Sequence, residues 1–315
     1  MDLHAYFKPA SGAAYTPRAP AFAIPRPITA AFTHHSPTPT ASGPYVLGVD
    51  EAGRGPVLGP LVYGVAYCPL AYLDTLGTMG FADSKTLTHE TRAALLKKLC
   101  SDPSNLGWSV RVLAPQTISE GMLRRPATNL NQQSQDATIL LIREVLAFGI
   151  EIAELYVDAL GPSVPYQAYL TKTFPTIRSI TVCPKADNLF KIVGAASVAA
   201  KVTRDECVHT WEFEEKNGNW AADKGSGYPS DPKTQAWLRS SIEPTFGYPT
   251  LARFSWATVR TALEGGAHAV KWSDTALRTD ENQKALTKAF ESAQGRDKDR
   301  CTLARDIALR SVGDI

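Results

Sequence analysis

The chain has 315 residues, and its 33 basic and 31 acidic residues leave a net charge of only +2. Composition therefore gives no sign of a polyanion partner, so a nucleic-acid site would have to come from local clustering of charge. No apolar run is long enough to cross a membrane and no secretory signal pattern is present, which predicts a protein that is neither membrane-spanning nor secreted. The five cysteines are scattered and never spaced as C-x-x-C, which indicates a reducing, intracellular compartment.

The first 44 residues are rich in Ala, Pro, Ser and Thr and carry a single acid, Asp2. Such a segment buries too little apolar surface to offset its ordering entropy, so we predict a disordered tail over residues 1–44. The low acid content also fits a transit peptide, and Leu3, Tyr6 and Phe7 fit a short docking motif. Both remain open as alternatives.

From residue 45 onward, short apolar runs alternate with amphipathic segments, which predicts an α/β domain over residues 45–228. The first two strands flank a Gly-rich turn and are expected to pair antiparallel, whereas the later strand–helix–strand order predicts parallel pairing. We therefore predict a mixed five-stranded sheet flanked by helices, followed by a helical C-terminal extension over residues 229–315. The predicted strands are Tyr45–Asp50, Leu61–Cys68, Trp108–Leu113, Ala153–Asp158 and Ser179–Cys183; the predicted helices are Thr88–Leu99, Asn131–Phe148, Tyr166–Phe174 and Asn188–Glu215.

Four carboxylates fall at the ends of predicted strands or just beyond them. Asp50 and Glu51 close the first strand, Asp158 closes the fourth, and Asp187 follows the fifth. Ligands collect at the carboxyl ends of strands in an open α/β sheet, and several acids brought together imply a hard divalent cation, for which magnesium is the natural choice. Two such ions about 3.5–4 Å apart can activate a water and stabilise the leaving oxygen of a phosphodiester displacement. For any one position taken alone, a solvated strand cap is the simpler interpretation.

Asp50 opens the segment DEAGRGPVLGP, in which two glycines flank Arg54. Glycines let the backbone approach a ligand closely, and a guanidinium fork suits a phosphate. The dinucleotide pattern G-x-G-x-x-G fails because position 58 is Leu, and the loop leads into a strand rather than a helix. No G-K-[ST] follows, which excludes the phosphate loop of nucleotide hydrolases.

DEAGRGPVLGP resembles the signature of type 2 ribonucleases H, and further segments of this chain resemble that family in the same order. They are ADSKTL at Ala82–Leu87, VDALG at Val157–Gly161, PKAD at Pro184–Asp187, AASVAAKVTRD at Ala195–Asp205 and GSGYPSDPKT at Gly225–Thr234. The resemblance spans residues 45–263. It implies a ribonuclease H-like fold and a magnesium-dependent endonuclease that cuts RNA paired with DNA, including single ribonucleotides embedded in a DNA duplex.

Carried over residue by residue, the resemblance makes the four strand-end carboxylates the catalytic acids and the ligands of two magnesium ions, with manganese as the alternative metal. It also gives Gly53, Arg54 and Gly55 the task of gripping the scissile phosphate. Their backbone groups would sense the 2′-hydroxyl, the atom that separates RNA from DNA.

Four more positions are substrate contacts by the same resemblance. Tyr228 would pack on the sugar of the next nucleotide, and the alternative is an aromatic that lines a turn. Lys85, Lys201 and Arg204 are expected to contact phosphates, with a solvated surface or an intramolecular ion pair as the alternative. The small residues of Gly194–Ala200 instead indicate close packing of a helix.

Within the family, the GSGYPSDPKTQAWL, PTFGYPTLARFSW and KWSD segments resemble the eukaryotic catalytic subunits. That implies a heterotrimer with two accessory subunits docked on the C-terminal extension, and a nuclear enzyme of ribonucleotide excision repair and primer removal, with mitochondrial or cytoplasmic location still open. One competing hypothesis is another nuclease of the ribonuclease H fold, which would lack the G-R-G loop and the Y-P-S-D-P run. The other is a non-catalytic nucleic-acid-binding protein, in which at least one of the four acids would be replaced.

Overall fold

The structure, a computed structural model, describes residues 24–81, 87–159, 161–215, 218 and 220–269. Its centre is a six-stranded sheet in the order β1-β4-β3-β2-β5-β6, in which β5 and β6 run parallel to β2 and the remaining neighbours pair antiparallel. The strands are β1 (Phe32–His35), β2 (Tyr45–Ala52), β3 (Leu61–Pro69), β4 (Gly107–Leu113), β5 (Ile152–Asp158) and β6 (Ser179–Cys183). The predicted α/β architecture with a mixed sheet flanked by helices is confirmed.

Helices cover both faces of the sheet, because the side chains of its central strands alternate between two buried clusters. Val46 and Val62 face the cluster that contains α7, whereas Leu47 and Tyr63 face the cluster that contains α4. The helices are α1 (Leu73–Thr78), α2 (His89–Leu99), α3 (Pro115–Leu123), α4 (Leu130–Ala147), α5 (Ser163–Thr173), α6 (Ala186–Leu189), α7 (Lys191–His209), α8 (Pro232–Ser240) and α9 (Ala257–Gly266). Within the described ranges, none of them is long and apolar enough to cross a membrane.

The sheet has one strand more than the five predicted, and that strand lies inside the predicted tail. β1 pairs antiparallel with β4, and Ile24 and Ile28 just before it are buried. Disorder is therefore the wrong prediction for residues 24–44, while residues 1–23 lie outside the described part. The physical reason is that β4 would otherwise present an open edge of unpaired backbone groups. A four-residue strand among prolines carries too little periodicity to be recognised from sequence.

The C-terminal boundary also differs from the prediction, which placed it at residue 228. Trp237 of α8 and Val259 of α9 belong to the same buried cluster as α7. A β-bridge between Leu58 and Ala252 ties this segment to the loop after β2. Residues 229–269 therefore complete the core, and the remainder of the predicted extension, residues 270–315, lies outside the described residues.

Helix α7 packs unusually close to the sheet, as its small-residue face predicted. A β-carbon on Gly48 of β2 would lie 2.5 Å from the backbone of Ile192, and one on Gly64 of β3 would lie 2.6 Å from the carbonyl oxygen of Ala196. Residues 194–200 are all buried. Glycine on the strands and small side chains on the helix thus allow backbone-to-backbone contact, and the close packing predicted for Gly194–Ala200 is confirmed.

Gly48→Ala is expected to lower the free energy of unfolding by about 1–3 kcal/mol, because the added methyl meets helix backbone that cannot yield without repacking the core. Gly77→Ala in α1 is the matched control, since a β-carbon there meets nothing within 4 Å. Urea denaturation of both variants measures the difference. Equal stabilities would contradict the close approach of α7.

Candidate active site

Three carboxylates meet where the central strands end. Asp50 and Glu51 lie near the end of β2 and Asp158 ends β5, and these two strands pair in parallel, so their carboxyl ends coincide. One oxygen of each carboxylate lies within 4.8 Å of the others. The fourth predicted acid, Asp187, falls outside this group of three, but it is buried and its charge is close enough to raise the pKa of Asp50.

A strained turn after β6 links Asp187 to Asp158. Lys185 has a φ of +57°, in the left-handed region that side chains other than glycine rarely adopt. The turn brings the Ala186 N–H to Asp158 Oδ1, at 2.9 Å, and Asp187 into the first turn of α6. Such strain, on the order of 1–3 kcal/mol, persists where surrounding structure enforces it and is frequent at functional sites.

Asp50 is the most buried member of the group, with only 1% of its surface exposed. Burial raises its pKa to about 7; the charges of Asp158 and Asp187 add to the increase, while hydrogen bonds from Ser197 and the Glu51 N–H oppose it. Asp50 Oδ1 accepts that N–H at 2.7 Å, and Oδ2 has no hydrogen-bond partner within the described residues. A buried carboxylate group with an open acceptor fits a hard divalent cation.

The raised pKa of Asp50 predicts how the thermal stability of the protein depends on pH. Because the folded-state pKa lies above the ordinary 3.8, ionised Asp50 destabilises the metal-free fold increasingly as pH rises from 3.8 to about 7. At pH 8 in chelator, Asp50→Asn should therefore melt higher than the wild type by a few degrees, and the difference should shrink at pH 5. Magnesium should raise the melting temperature of the wild type more than that of the variant. A variant that melts lower at both pH values would refute this account.

The glycine-rich loop after β2 is held by a buried arginine from the segment before α9. Arg253 donates to the carbonyl oxygens of Gly53 (2.5 Å), Arg54 (3.0 Å) and Gly59 (2.8 Å). In a trans peptide the N–H points opposite to the carbonyl of the same unit, so the N–H groups of Arg54 and Gly55 point away from Arg253. The loop therefore presents two donors of fixed direction.

The guanidinium of Arg54 is not free to bind a phosphate with its two N–H edges. Its guanidinium donates to Ser134 Oγ at 2.9 Å and also to Asn131 Oδ1, both on α4. The predicted phosphate grip can thus involve the backbone of Gly53–Gly55, whereas the Arg54 side chain ties this loop to α4.

Tyr228 lies directly beside the loop. Its ring is 3.4 Å from the position of a β-carbon on Gly55, and 40% of the residue is exposed. The Val57 N–H donates to the carbonyl of Gly227 at 2.8 Å, which fixes the two loops together. An exposed aromatic ring thus stands next to the backbone donors, as a sugar contact requires.

The predicted phosphate contacts are placed differently. Lys201 and Arg204 both pair with Asp205, at 2.7 and 3.2 Å. Arg204 is buried and also donates to the carbonyl of Ser226 at 2.9 Å. The intramolecular ion pair, the alternative interpretation, describes both side chains in this structure, and Lys85 lies outside the described residues.

Two contributors were not singled out from sequence. Arg253 stands in LARFSW, where a cation inside an apolar run signals a buried, hydrogen-bonded role. Ser197, set among alanines on α7, supplies the hydroxyl that reaches Asp50. Neither role follows from spacing, since both partners lie far along the chain.

A mixed sheet with carboxylates at the ends of its central strands, beside a glycine-rich loop, is the arrangement of a ribonuclease H-like nuclease with an acidic metal site. The Ribonuclease HII family profile matches residues 47–259, more than half of the chain, and the chain belongs to this family. It is 46% identical to the A subunit of Ribonuclease H2 from Homo sapiens, over 84% of this chain and 89% of that one, and 45% identical to the Arabidopsis thaliana protein of the same name, over 78% and 80%. The crystal structure of ribonuclease H2 from Pyrococcus horikoshii superposes with a TM-score of 0.59 at 32% identity, covering 70% of this chain and 98% of that one.

Proposed function

We propose that this chain is the catalytic subunit of a type 2 ribonuclease H, which hydrolyses the RNA strand of RNA/DNA hybrids and cuts 5′ of single ribonucleotides in duplex DNA. The products carry 3′-hydroxyl and 5′-phosphate ends. The observation that carries the proposal is the group of Asp50, Glu51 and Asp158, placed at one sheet edge beside the Gly53–Gly55 loop. The intact set of four acids argues against a non-catalytic subunit.

Asp50, Glu51, Asp158 and Asp187 are the residues that would hold two magnesium ions, or manganese. When bound, the metal supplies an activated water and charge stabilisation for the phosphodiester. The backbone of the chain orients two of these carboxylates. The Glu51 N–H donates a hydrogen bond to Asp50, and the Ala186 N–H donates one to Asp158. Carboxylates fixed in this way need little rearrangement before reaction.

Recognition of the sugar is assigned to the loop and to Tyr228. The N–H groups of Arg54 and Gly55 would meet the scissile phosphate and the 2′-hydroxyl, and the Tyr228 ring would lie on the next sugar. Contacts of this kind do not read bases, so the enzyme would recognise sugar type and junction in any sequence.

Tyr228→Ala is expected to lower kcat/KM about tenfold on a duplex with one ribonucleotide, because the sugar loses the ring that fixes it. Tyr228→Phe keeps the ring and should stay near the wild-type value. Thermal melting checks that both variants fold. If Tyr228→Ala cleaved this duplex at the wild-type rate, the residue would be a turn-lining aromatic only.

The proposed enzyme works in a nuclear heterotrimer, with two accessory subunits bound through its C-terminal part. Its cellular tasks would be ribonucleotide excision repair and the removal of RNA primers during replication. Support comes from the similarity to the eukaryotic H2 proteins over most of both chains.

The decisive experiment is cleavage of a labelled DNA duplex that carries one ribonucleotide, by the full chain purified with its partners, in magnesium and then in chelator. A metal-dependent cut just 5′ of the ribonucleotide supports the proposal. Cleavage of all-DNA duplexes as well would favour another nuclease of this fold. No cleavage with both partners present would favour a binding subunit.

A further inference from the structure

A small cavity adjoins the group of three carboxylates on the α4 side of the sheet. It has a volume of about 120 Å³, and Asp50, Glu51 and Asp158 all line it. Its remaining wall is rich in hydroxyl groups, from β3, α4 and α5. These belong to Tyr63, Ser134, Thr138 and Tyr166.

Strand register explains why Glu51 depends on this side of the molecule. Glu51 of β2 lies directly opposite Tyr63 of β3, so both side chains leave the same face of the sheet. That face packs on α4, whereas the neighbouring Asp50 points to the α7 face. Glu51 therefore reaches the group of three carboxylates from the opposite face to Asp50, and this is the face that carries the hydroxyl groups of the cavity wall.

The hydroxyl of Tyr63 is a buried group of this wall that lacks a direct partner among the described residues. Tyr63 is only 3% exposed, and its Oη has no hydrogen-bond partner within the described residues. Ser134 is close enough to interact with it, but not at hydrogen-bond geometry, and the Ser134 hydroxyl already donates to the Leu130 carbonyl at 2.7 Å and accepts from Arg54 at 2.9 Å. A buried hydroxyl without a partner costs about 1–3 kcal/mol. A cavity of this size, with hydroxyl and carboxylate groups in its wall, has room for a few waters, each of which takes about 30 Å³ in the liquid.

We propose that Tyr63 is a positioning residue, which holds the Glu51 carboxylate towards Asp50 and Asp158 through water bound in this cavity. The inference rests on the proposed function, because Glu51 needs this orientation only if the carboxylates bind metal. Outer groups that orient a metal ligand typically contribute about 10–100-fold to metal affinity. Arg54 also lines the cavity, so the arginine of the glycine-rich loop forms part of the same wall.

Tyr63→Phe tests the proposal because it removes only the hydroxyl. Tyr67→Phe is the matched control: Tyr67 lies on the same strand and the same face, is buried, and also has an Oη without a partner in the described part of the chain. Its ring packs against Tyr45 and fills the space over Gly107, away from the carboxylates. A purely structural role predicts the same effect from both substitutions.

Binding of Mn²⁺ is measured by calorimetry on the full chain purified with its partners. We expect Tyr63→Phe to weaken binding about tenfold and to raise the magnesium concentration for half-maximal cleavage about tenfold, with kcat near wild type at saturating metal. Tyr67→Phe should change neither. Wild-type Mn²⁺ affinity in Tyr63→Phe would overturn the proposal.

Two further variants keep the test decisive. Thr138→Val removes another hydroxyl of the wall and should weaken Mn²⁺ binding in the same direction, which covers the case that Tyr63→Phe does not fold. Asp158→Asn distinguishes failure of the metal assignment from failure of the role proposed for Tyr63. If it abolishes Mn²⁺ binding while Tyr63→Phe has no effect, only the role of Tyr63 fails; if Mn²⁺ binds normally to Asp158→Asn, the metal assignment fails and this proposal with it.

Discussion

Asp158→Asn is expected to lower metal-dependent cleavage at least ~10³-fold, while the variant still binds the duplex. The substitution removes one charge from the group of three carboxylates. It leaves the Gly53–Gly55 loop and Tyr228 untouched, so the contacts proposed for substrate binding remain. The amide oxygen can still accept the Ala186 N–H that now bonds Asp158 Oδ1, and the turn that carries Asp187 should therefore keep its shape.

Single-turnover cleavage and fluorescence anisotropy on the same labelled duplex give the two quantities. Glu154→Gln is the control, because it neutralises an acid on the same strand that lies outside the group of three and accepts the Tyr156 hydroxyl at 2.9 Å. The control should cleave nearly as the wild type does. Substantial turnover by Asp158→Asn would exclude the strand-end carboxylates as the catalytic centre.

The position of the carboxylates was accessible from sequence because it depends on local pattern. Apolar runs mark where strands end, and the alternation of strands and helices indicates which strands run parallel. Asp50, Glu51 and Asp158 fall at such ends, and the structure brings them together. Their assignment as metal ligands stays a prediction until the metal is bound and measured.

Other features depend on contacts between distant parts of the chain, which no local pattern reveals. The Arg54 side chain meets residues 77 and 80 positions away on α4, and Arg253 reaches back 194 to 200 positions to the loop. Sequence indicates that Arg54 stands between glycines, but whether its guanidinium faces solvent or α4 is a tertiary property. The same applies to β1, whose formation depends on the free edge of β4.

These distant contacts have a common effect on the site. The loop after β2 is tied to α4 through the side chain of Arg54, and to the segment before α9 through Arg253. The Trp256 ring stacks with the Arg253 guanidinium at 4.7 Å and donates its indole N–H to the Gly55 carbonyl at 3.3 Å. Arg253 and Trp256, which follow the domain boundary predicted at residue 228, thus set the geometry of the loop that is proposed to grip the phosphate.

Arg253→Lys should therefore impair both stability and cleavage. A lysine keeps the charge, but one ammonium group cannot reproduce a fork that reaches three carbonyls. Buried carbonyls of Gly53, Arg54 or Gly59 would lose their donors, which we expect to cost on the order of 2–4 kcal/mol in the free energy of unfolding. The Arg54 and Gly55 N–H groups would then lose their fixed direction, and displacement of a positioning group by about 1 Å can cost about 10²-fold in rate.

Urea denaturation and kcat/KM, measured well below the melting temperature of the variant, separate these two effects. Mn²⁺ affinity should stay near the wild-type value, because the carboxylates are carried by β2, β5 and α6 rather than by the loop. Arg260→Lys on the exposed side of α9 provides the matched control and should change none of the three quantities. If Arg253→Lys is destabilised but keeps the wild-type kcat/KM, Arg253 only stabilises the fold. If cleavage is lost while metal binding is intact, the C-terminal segment shapes the loop that is proposed to grip the phosphate.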